Sequence, residues 1–427
     1  ILDLISNEYV DDISVDSLLE MNIPDLLSYL DPHSAYIPAT DFEDVNSELE
    51  GSFSGVGISF QIMKDTVVAV EIIAGGPAQK VGMLPGDRIL MADTVNLTGK
   101  GATQENVFKN LRGKKGSNVS LKVLRPGMAK PVVYDVIRGD IPVNSVDAAY
   151  LIDPKTGYIR VGKFARNTYQ EFLDALLKLR MQGAEKMVID LRGNTGGYMD
   201  QAINMANEFL PRGRRIVYTK GRHKADDVVA NSDGRGSFQD MQLVVVVDEI
   251  SASASEIFAG AIQDNDRGLV IGRRTFGKGL VQVPRSLPYG GTMKVTTSKY
   301  YIPSGRCVQA IDYKHRNEDG SVGTIPDSLT KVFYTAAGRE VRDGGGVMPD
   351  VAIKQEKLPN ILFYLVRDNL IFDYATQYCL KHPTIVEPEK FEVTDADYND
   401  FKTLVKKADF KYDQQSEKIL KTLKEAA

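Results

Sequence analysis

The stretch from 243 to 282, LVVVVDEISASASEIFAGAIQDNDRGLVIGRRTFGKGLVQ, constrains this chain more than any other. LVVVV is a continuous apolar run, the pattern of a strand buried on both faces of a sheet. After Asp248, Glu249 and Ile250 comes Ser-Ala-Ser-Ala-Ser-Glu. Ile257, Phe258, Ala261 and Ile262 then follow at the i, i+1, i+4, i+5 spacing of a helix face. Ser251, Ser253 and Ser255 therefore fall where a buried strand passes into a helix. A hydroxyl there lies near the positive end of a helix dipole and beyond the carboxyl end of a strand, where open α/β sheets place their sites. A second short strand, GLVIG, leads to Thr275-Phe276-Gly277-Lys278-Gly279 and then to a third apolar run, LVQVP.

A serine is a weak nucleophile without a base in hydrogen-bond reach. None of the four histidines (His33, His223, His315, His382) stands in a triad context, and no Gly-x-Ser-x-Gly elbow is present. Lys278, between two glycines and flanked by Phe276 and Leu280, is the other candidate. To act near neutral pH it must lose roughly 4 kcal/mol of preference for its charged form, which burial can supply. The plainer reading of Ser253-x-x-Glu256 is a capping box, a device for starting a helix. Gly272-x4-Gly277-Lys278 has the outline of a phosphate loop, but Gly279 and a strand-like run replace the required Ser/Thr and helix. Asp264, three turns beyond Ser253 or roughly 16 Å at 1.5 Å per residue, reads as structural, and Ser251 and Ser255 read as cap or packing residues.

Ser-Ala-Ser-Ala-Ser-Glu-Ile followed by Thr-Phe-Gly-Lys-Gly-x-Val-Gln resembles the carboxyl-terminal processing (tail-specific) proteases. The resemblance implies that Ser253 is the nucleophile, that Lys278, 25 positions on (278 − 253), is the base, and that Gln282 holds the lysine amine. Leu191-Arg-Gly-Asn-Thr-Gly-Gly197 resembles that family's loop at a second strand-to-helix junction. It implies an oxyanion hole from the backbone N–H of Ala254 and of Gly196 or Gly197. Leu30-Asp-Pro-His-Ser-Ala-Tyr36 resembles a motif near the start of these proteases. His33 within it is read as a turn residue, since the family uses no histidine.

At 427 residues, two to four domains are expected, and four segments emerge: 1–50, 51–139, 140–353 and 354–427. The first alternates helix-like pieces with breaks, Pro24 suiting a first helical position, and its use is packing or dimerisation. The second resembles a PDZ domain, a small β-barrel or sandwich with helices. Gly55, Val56, Gly57 and Ile58 stand at its carboxylate-binding loop, Ala74–Ile89 form the middle signature, Gln104–Leu111 the groove helix, and VSLKVLR and VVYDVIR the closing strands. Exposed amides of such a loop can hold a terminal carboxylate while the peptide adds a strand to the sheet edge. In the third segment strands alternate with helices (GYIRVGKF, TYQEFLDALLKLRMQG, MVID, YMDQAINMANEFL), which predicts a largely parallel sheet. A strand or hairpin is expected within 213–240, a charged excursion at KHRNEDGSVGTIPDS, and a closing element at Gly345–Asp350. The fourth segment is helical: LPNILFYLVRDNLIFDYATQYCL, apolar enough to be buried, then TDADYNDFKTLVKKA and QQSEKILKTLKEAA.

The fold class is thus α/β multidomain, with helical ends, a PDZ domain and a protease core. Net charge −5 without a basic stripe argues against nucleic acid as a partner. No metal or other cofactor is expected. Cys307 and Cys379 have no ligand spacing; they can pair or stay free. No apolar run reaches the 18 or so residues of a membrane span. The chain begins at Ile1, so removal of a signal or anchor is expected, and the family resemblance implies a periplasmic or cell-envelope location. The resemblance implies a serine endopeptidase acting on polypeptides with free C-terminal tails, homo-oligomeric (a dimer) through its terminal helices, with any adaptor unknown. Its rivals are a PDZ scaffold that binds tails without cutting, and a histidine-dependent hydrolase.

Overall fold

The computed structural model describes residues 1–39, 41–42, 49–224, 227–316, 321–382, 384–387, 390–413, 419–420 and 422–424. Two compact units form, one of residues 1–52 with 142–355 and one of residues 53–141 with 356–427. The N-terminal segment thus belongs with the catalytic-type core, and the C-terminal helices cluster with the PDZ-type segment.

The first unit opens with α1 (Leu2–Glu8) and α2 (Val15–Ser28). Ser14 starts α2, its hydroxyl accepting the Ser17 N–H at 3.2 Å. This cap lies ten residues upstream of Pro24, so Pro24 sits inside the helix rather than opening one, and withholds one backbone donor there. After the turn at 31–34, β1 (Ala35–Ile37) leaves the helical region and joins a sheet described below.

In the second unit β2 (Ile58–Met63), β3 (Thr66–Ile72), α3 (Pro77–Lys80), β4 (Arg88–Ala92), α4 (Gln104–Leu111), β5 (Asn118–Leu124) and β6 (Val132–Ile137) follow in turn. The strands pair antiparallel in the order β2-β3-β4-β5-β6, which leaves β2 on the edge. Val67, Ile89, Val107, Leu121, Val123 and Val136 form its core.

The chain then returns to the first unit through β7 (Val146–Asp153), β8 (Thr156–Val161), α5 (Thr168–Met181), β9 (Lys186–Asp190), α6 (Met199–Asn207), β10 (Arg215–Gly221), β11 (Val229–Asn231), β12 (Gln242–Val247), α7 (Ala254–Asp264), β13 (Leu269–Gly272), β14 (Leu280–Ser286), β15 (Thr292–Tyr301) and β16 (Val351–Ala352). Helix α5 buries Phe172, Ala175, Leu176 and Leu179, an i, i+3, i+4, i+7 stripe. One sheet runs β7-β8-β9-β12-β13-β16, parallel from β8 onward. A second runs β1-β15-β10-β11, with β14 also on β15. Leu243, Val245 and Val247 point into the core with Phe172, Phe209 and Phe258. Val244 and Val246, on the opposite face, are half-buried, so the second face of the LVVVV run is covered only in part. The residues at 229–231 do form the expected hairpin with β10.

The second unit ends in α8 (Asn360–Arg367), α9 (Leu370–Lys381) and α10 (Asp395–Lys407). The apolar stretch 358–380 was expected to be buried. Only Leu370 is, while Phe363, Val366 and Leu380 are exposed, because Asn369 in a left-handed turn (φ 59°) breaks the stretch into two short helices. Cys307 and Cys379 are free thiols. Residues 317–320 of the charged excursion, and 414–418, 421 and 425–427 of the last expected helix, lie outside the described residues.

Phe172 is fully buried and meets the Phe209 ring edge-on at 6.2 Å. Phe172→Ala is expected to destabilise the first unit by about 3–5 kcal/mol, read as a lowered urea midpoint for the loss of its tertiary signal.

Candidate active site

Strands β9 and β12 are parallel neighbours, and the Leu191 N–H donates to the Val246 carbonyl at 2.9 Å. The loops that leave their carboxyl ends therefore emerge side by side, the crevice position of an open α/β sheet. Buried Asn194 joins them. Its carbonyl accepts the Ala252 N–H (3.0 Å) and the Ser255 hydroxyl (2.9 Å), and its amide donates to Val161 O (2.8 Å). The Ser251 hydroxyl donates to Leu191 O at 2.8 Å. Ser251 and Ser255 thus tie loop to loop, as packing residues do.

Ser253 stands between them at the start of α7 with φ 56° and ψ −113°. A non-glycine residue held there stores about 1–3 kcal/mol, and such strain concentrates at functional sites. The other loop approaches closely: a Cβ on Gly196 would lie 2.7 Å from Ser253 Cβ, so only glycine fits. The Gly196 N–H is taken by Asn194 Oδ1 at 2.8 Å. Among the described residues, the N–H groups of Gly197 and Ala254 find no hydrogen-bond acceptor.

Lys278 is brought to this junction by Glu256. The Glu256 side chain is fully buried and takes four hydrogen bonds, two on each oxygen. Oε1 accepts the Thr275 hydroxyl (2.6 Å) and the Gly277 N–H (2.8 Å); Oε2 accepts the N–H of Ser253 (2.9 Å) and of Lys278 (2.9 Å). The amides of Ser253 and Lys278 therefore share one carboxylate oxygen. The capping box anticipated at Ser253-x-x-Glu256 is present, and its glutamate also anchors the lysine loop. Burial pushes the Glu256 carboxyl up, opposed by these bonds, Thr275 first.

The loop is held on its other side too. Gly277 O accepts the Ala310 N–H (2.9 Å), Gly279 N–H donates to Gln309 Oε1 (2.7 Å), and Gly279 O accepts the Tyr300 N–H (3.0 Å). Gly277 (φ 87°) touches Ala310 so closely that a Cβ would lie 2.4 Å from its methyl. Burial, then the nearby Lys294 ammonium, pull the Lys278 pKa below the ordinary lysine range, against Asp31 and Glu256. The Ser253 hydroxyl and the Lys278 amine are not hydrogen-bonded to one another, and Gln282 Nε2 donates to Thr296 Oγ1 (3.0 Å) rather than touching Lys278. Asp264 is buried against Arg306 (2.8 Å), the structural place expected of it.

The 31–34 turn lies nearer the chemistry than its sequence suggested. β1 pairs with β15; Asp31 acts electrostatically on Lys278, and Lys278 on His33. Burial, then the Lys278 charge, lower the His33 pKa to about 4. The missed signal was Asp-Pro-x-Ser, an Asx-turn pattern: Asp31 Oδ1 accepts the N–H of His33 (2.9 Å) and Ser34 (3.0 Å).

In the second unit, Val56 O accepts the Ala78 N–H (2.8 Å) and Gly57 O the Ile73 N–H (3.0 Å). In trans peptides the N–H points opposite to the C=O, so the amides of Gly57 and Ile58 point away from these partners, at the start of edge strand β2. Phe60 of β2 meets Phe108 of α4 edge-on at 5.4 Å across the groove. Gly57, at φ 80°, has the backbone such a turn needs. Gly55, Val56 and Gly57 are all buried, and Ile58 is half-buried.

A small antiparallel domain with an open edge strand, joined to an α/β core carrying a strained serine and a half-buried lysine at adjoining loops, defines the class of PDZ-bearing serine hydrolases. Residues 54–136 match the profile of the PDZ domain, 155–327 that of Peptidase family S41, and 361–427 that described as "Probable PDZ-protease, C-terminal helical domain". A "Probable CtpA-like serine protease" of Staphylococcus aureus (strain bovine RF122 / ET3-1) is 33% identical over 306 residues, 71% of this chain and 60% of that protein. The namesake in strain MRSA252 is 31% identical over 430 residues, 99% of this chain and 83% of that protein. The "Carboxy-terminal-processing protease" of Bartonella bacilliformis (strain ATCC 35685 / KC583 / Herrer 020/F12,63) is 35% identical over 316 residues, 73% and 71% of the two chains. The chain belongs to peptidase family S41, among the PDZ-containing carboxy-terminal-processing proteases. It spans about three fifths of the length of the first of these relatives.

Glu256→Gln replaces one acceptor oxygen by an NH2 group facing two donors. Each backbone N–H left unpaired in the core costs about 1–3 kcal/mol. The variant is expected to lose that stability, measured by chemical denaturation, and to show faster amide exchange at Ser253 or Lys278.

Proposed function

We propose that the protein is a serine endopeptidase that captures the free C-terminal tail of a polypeptide and cuts with a Ser253–Lys278 dyad. The observation that carries this reading is the shared Glu256 oxygen, which holds the backbones of a strained serine and a half-buried lysine at one point. Neutral Lys278 takes the Ser253 proton as Oγ bonds to the scissile carbonyl carbon. The N–H groups of Ala254 and Gly197 receive the oxyanion, Gly196 being spent on Asn194; such donors contribute about 3–4 kcal/mol. Lys278 then gives its proton to the leaving amine as the C–N bond breaks, and water, deprotonated by Lys278, releases the acyl group. Gln282 steadies the lysine amine. Catalytic hydrogen bonds often close only in the loaded site, and in this reading the two side chains meet there.

Tail capture falls to the PDZ domain: the amides of Gly57 and Ile58 hold the terminal carboxylate, and the tail adds a strand to β2. Val56 and Gly55 shape the loop from below. The division 1–50, 51–139, 140–353 and 354–427 serves as a division of labour, with the terminal helices making a homodimer. A periplasmic or cell-envelope location belongs to the same proposal; among the described residues no helix is long and apolar enough to cross a membrane.

Ser253→Ala and Lys278→Ala are each expected to lower cleavage of an unfolded protein with an apolar C-terminal tail by about 10⁴-fold or more, while tail binding persists. Since the base must be neutral, the rate rises with pH as Lys278 loses its proton, and its depressed pKa puts that limb below the ordinary lysine range. A histidine-dependent enzyme would instead show a limb near 4, where His33 titrates. Tail binding by wild type without any cutting would favour the scaffold.

A further inference from the structure

The Asp31 side chain is buried and can only accept hydrogen bonds when ionised. It collects four donors: the N–H of His33 and Ser34, the Ser34 hydroxyl (Oδ2, 3.0 Å) and the Thr296 hydroxyl (Oδ1, 3.1 Å). The last of these has a consequence beyond the turn. A threonine hydroxyl has one proton, and with that proton on Asp31 its lone pairs can only accept. Gln282 must therefore turn its NH2 group toward Thr296, as it does at 3.0 Å. The Gln282 side-chain carbonyl oxygen is then the end left over, and among the described residues it accepts no hydrogen bond.

Lys278 stands two residues before β14, the strand that carries Gln282. Gln282 pairs with Thr296, and Leu280 with Lys299 across the same pair of strands. The register shifts between Val281 and Gln282, so the link to Lys278 does not run along the strand; it runs through Asp31, which bonds Thr296 and acts electrostatically on Lys278. We propose that Asp31 is a positioning residue of the catalytic site: it fixes the donor direction of an Asp31–Thr296–Gln282 chain, and so presents the Gln282 carbonyl oxygen to the Lys278 amine. The role of Gln282 depends on a residue some 250 positions earlier, in the N-terminal segment. The inference rests on the dyad reading above.

The test uses the full chain, with kcat and KM for cleavage of an unfolded protein bearing an apolar tail. Thr296→Val breaks the chain without altering charge, and is expected to lower kcat roughly 10²-fold, with KM moving far less. Thr296→Ser restores the hydroxyl and is expected to restore kcat. Asp31→Asn is expected to lower kcat and also to move the acid limb of the rate profile to lower pH. The groups facing Lys278 are Asp31 and His33 from the turn, Lys294 from β15 and Glu256 from α7. Removing the Asp31 charge favours the neutral lysine. Full kcat in folded Thr296→Val, or no rescue by serine, overturns the proposal. A second readout needs no catalysis: exchange of the Gln282 side-chain amide protons, expected about tenfold faster in Thr296→Val, the worth of one hydrogen bond, and slow in Thr296→Ser. Unchanged exchange also overturns it. A wild type that never cuts, or Ser253→Ala that cuts equally well, refutes the dyad instead, and the exchange result still decides the chain.

Discussion

Two oxygens of one buried carboxylate hold this site together. Glu256 gives up its hydration and receives four hydrogen bonds, from Thr275, Gly277, Ser253 and Lys278. A bare buried carboxylate would be prohibitively expensive; a fully bonded one is tolerable, and the balance still pushes its carboxyl up. The energetic consequence is that the start of α7 and the 275–279 loop cannot separate without stranding a charge. Two segments more than twenty residues apart thereby act as one rigid piece.

That rigidity explains the local departures around it. Ser253 keeps its positive φ because Glu256 and the Asn194 loop over-determine its backbone from both sides. Gly277 and Gly279 flank Lys278 because Ala310, Cys307 and Gln309 leave no room for a Cβ, and their backbone bonds clamp the lysine from both neighbours. Clamping matters for the amine itself. A flexible lysine finds water and stays charged, whereas one held against a low-dielectric wall loses much of that solvation. Val347 and the 345–350 segment complete the wall through Thr275.

What could be read from residue order was local. LVVVV then SASASE, a strand-to-helix junction, needs only periodicity and capping chemistry, and the glycines of 193–197 announce close approach. Contacts set by side-chain choice at long range were not legible. Asp31 meets Thr296 across 265 positions, and no periodicity encodes that pairing. That Asn194 takes the Gly196 N–H could not be read from residue order either. Pro24 misled because the Ser14 cap, ten residues earlier, starts the helix and outweighs one missing donor. The 358–380 run misled for a different reason: composition predicts burial, but Asn369 breaks the run into two short helices that leave Phe363 and Val366 exposed.

The central claim is that this architecture supplies a lysine ready to be neutral beside a strained serine. Its most direct test is to titrate the Lys278 amine itself, by following the ε-carbon of isotopically labelled lysine in the resting full-length chain, with Lys278→Arg to assign the signal. The account predicts a midpoint clearly below that of the other lysines. A Lys278 that titrates among the surface lysines would contradict it.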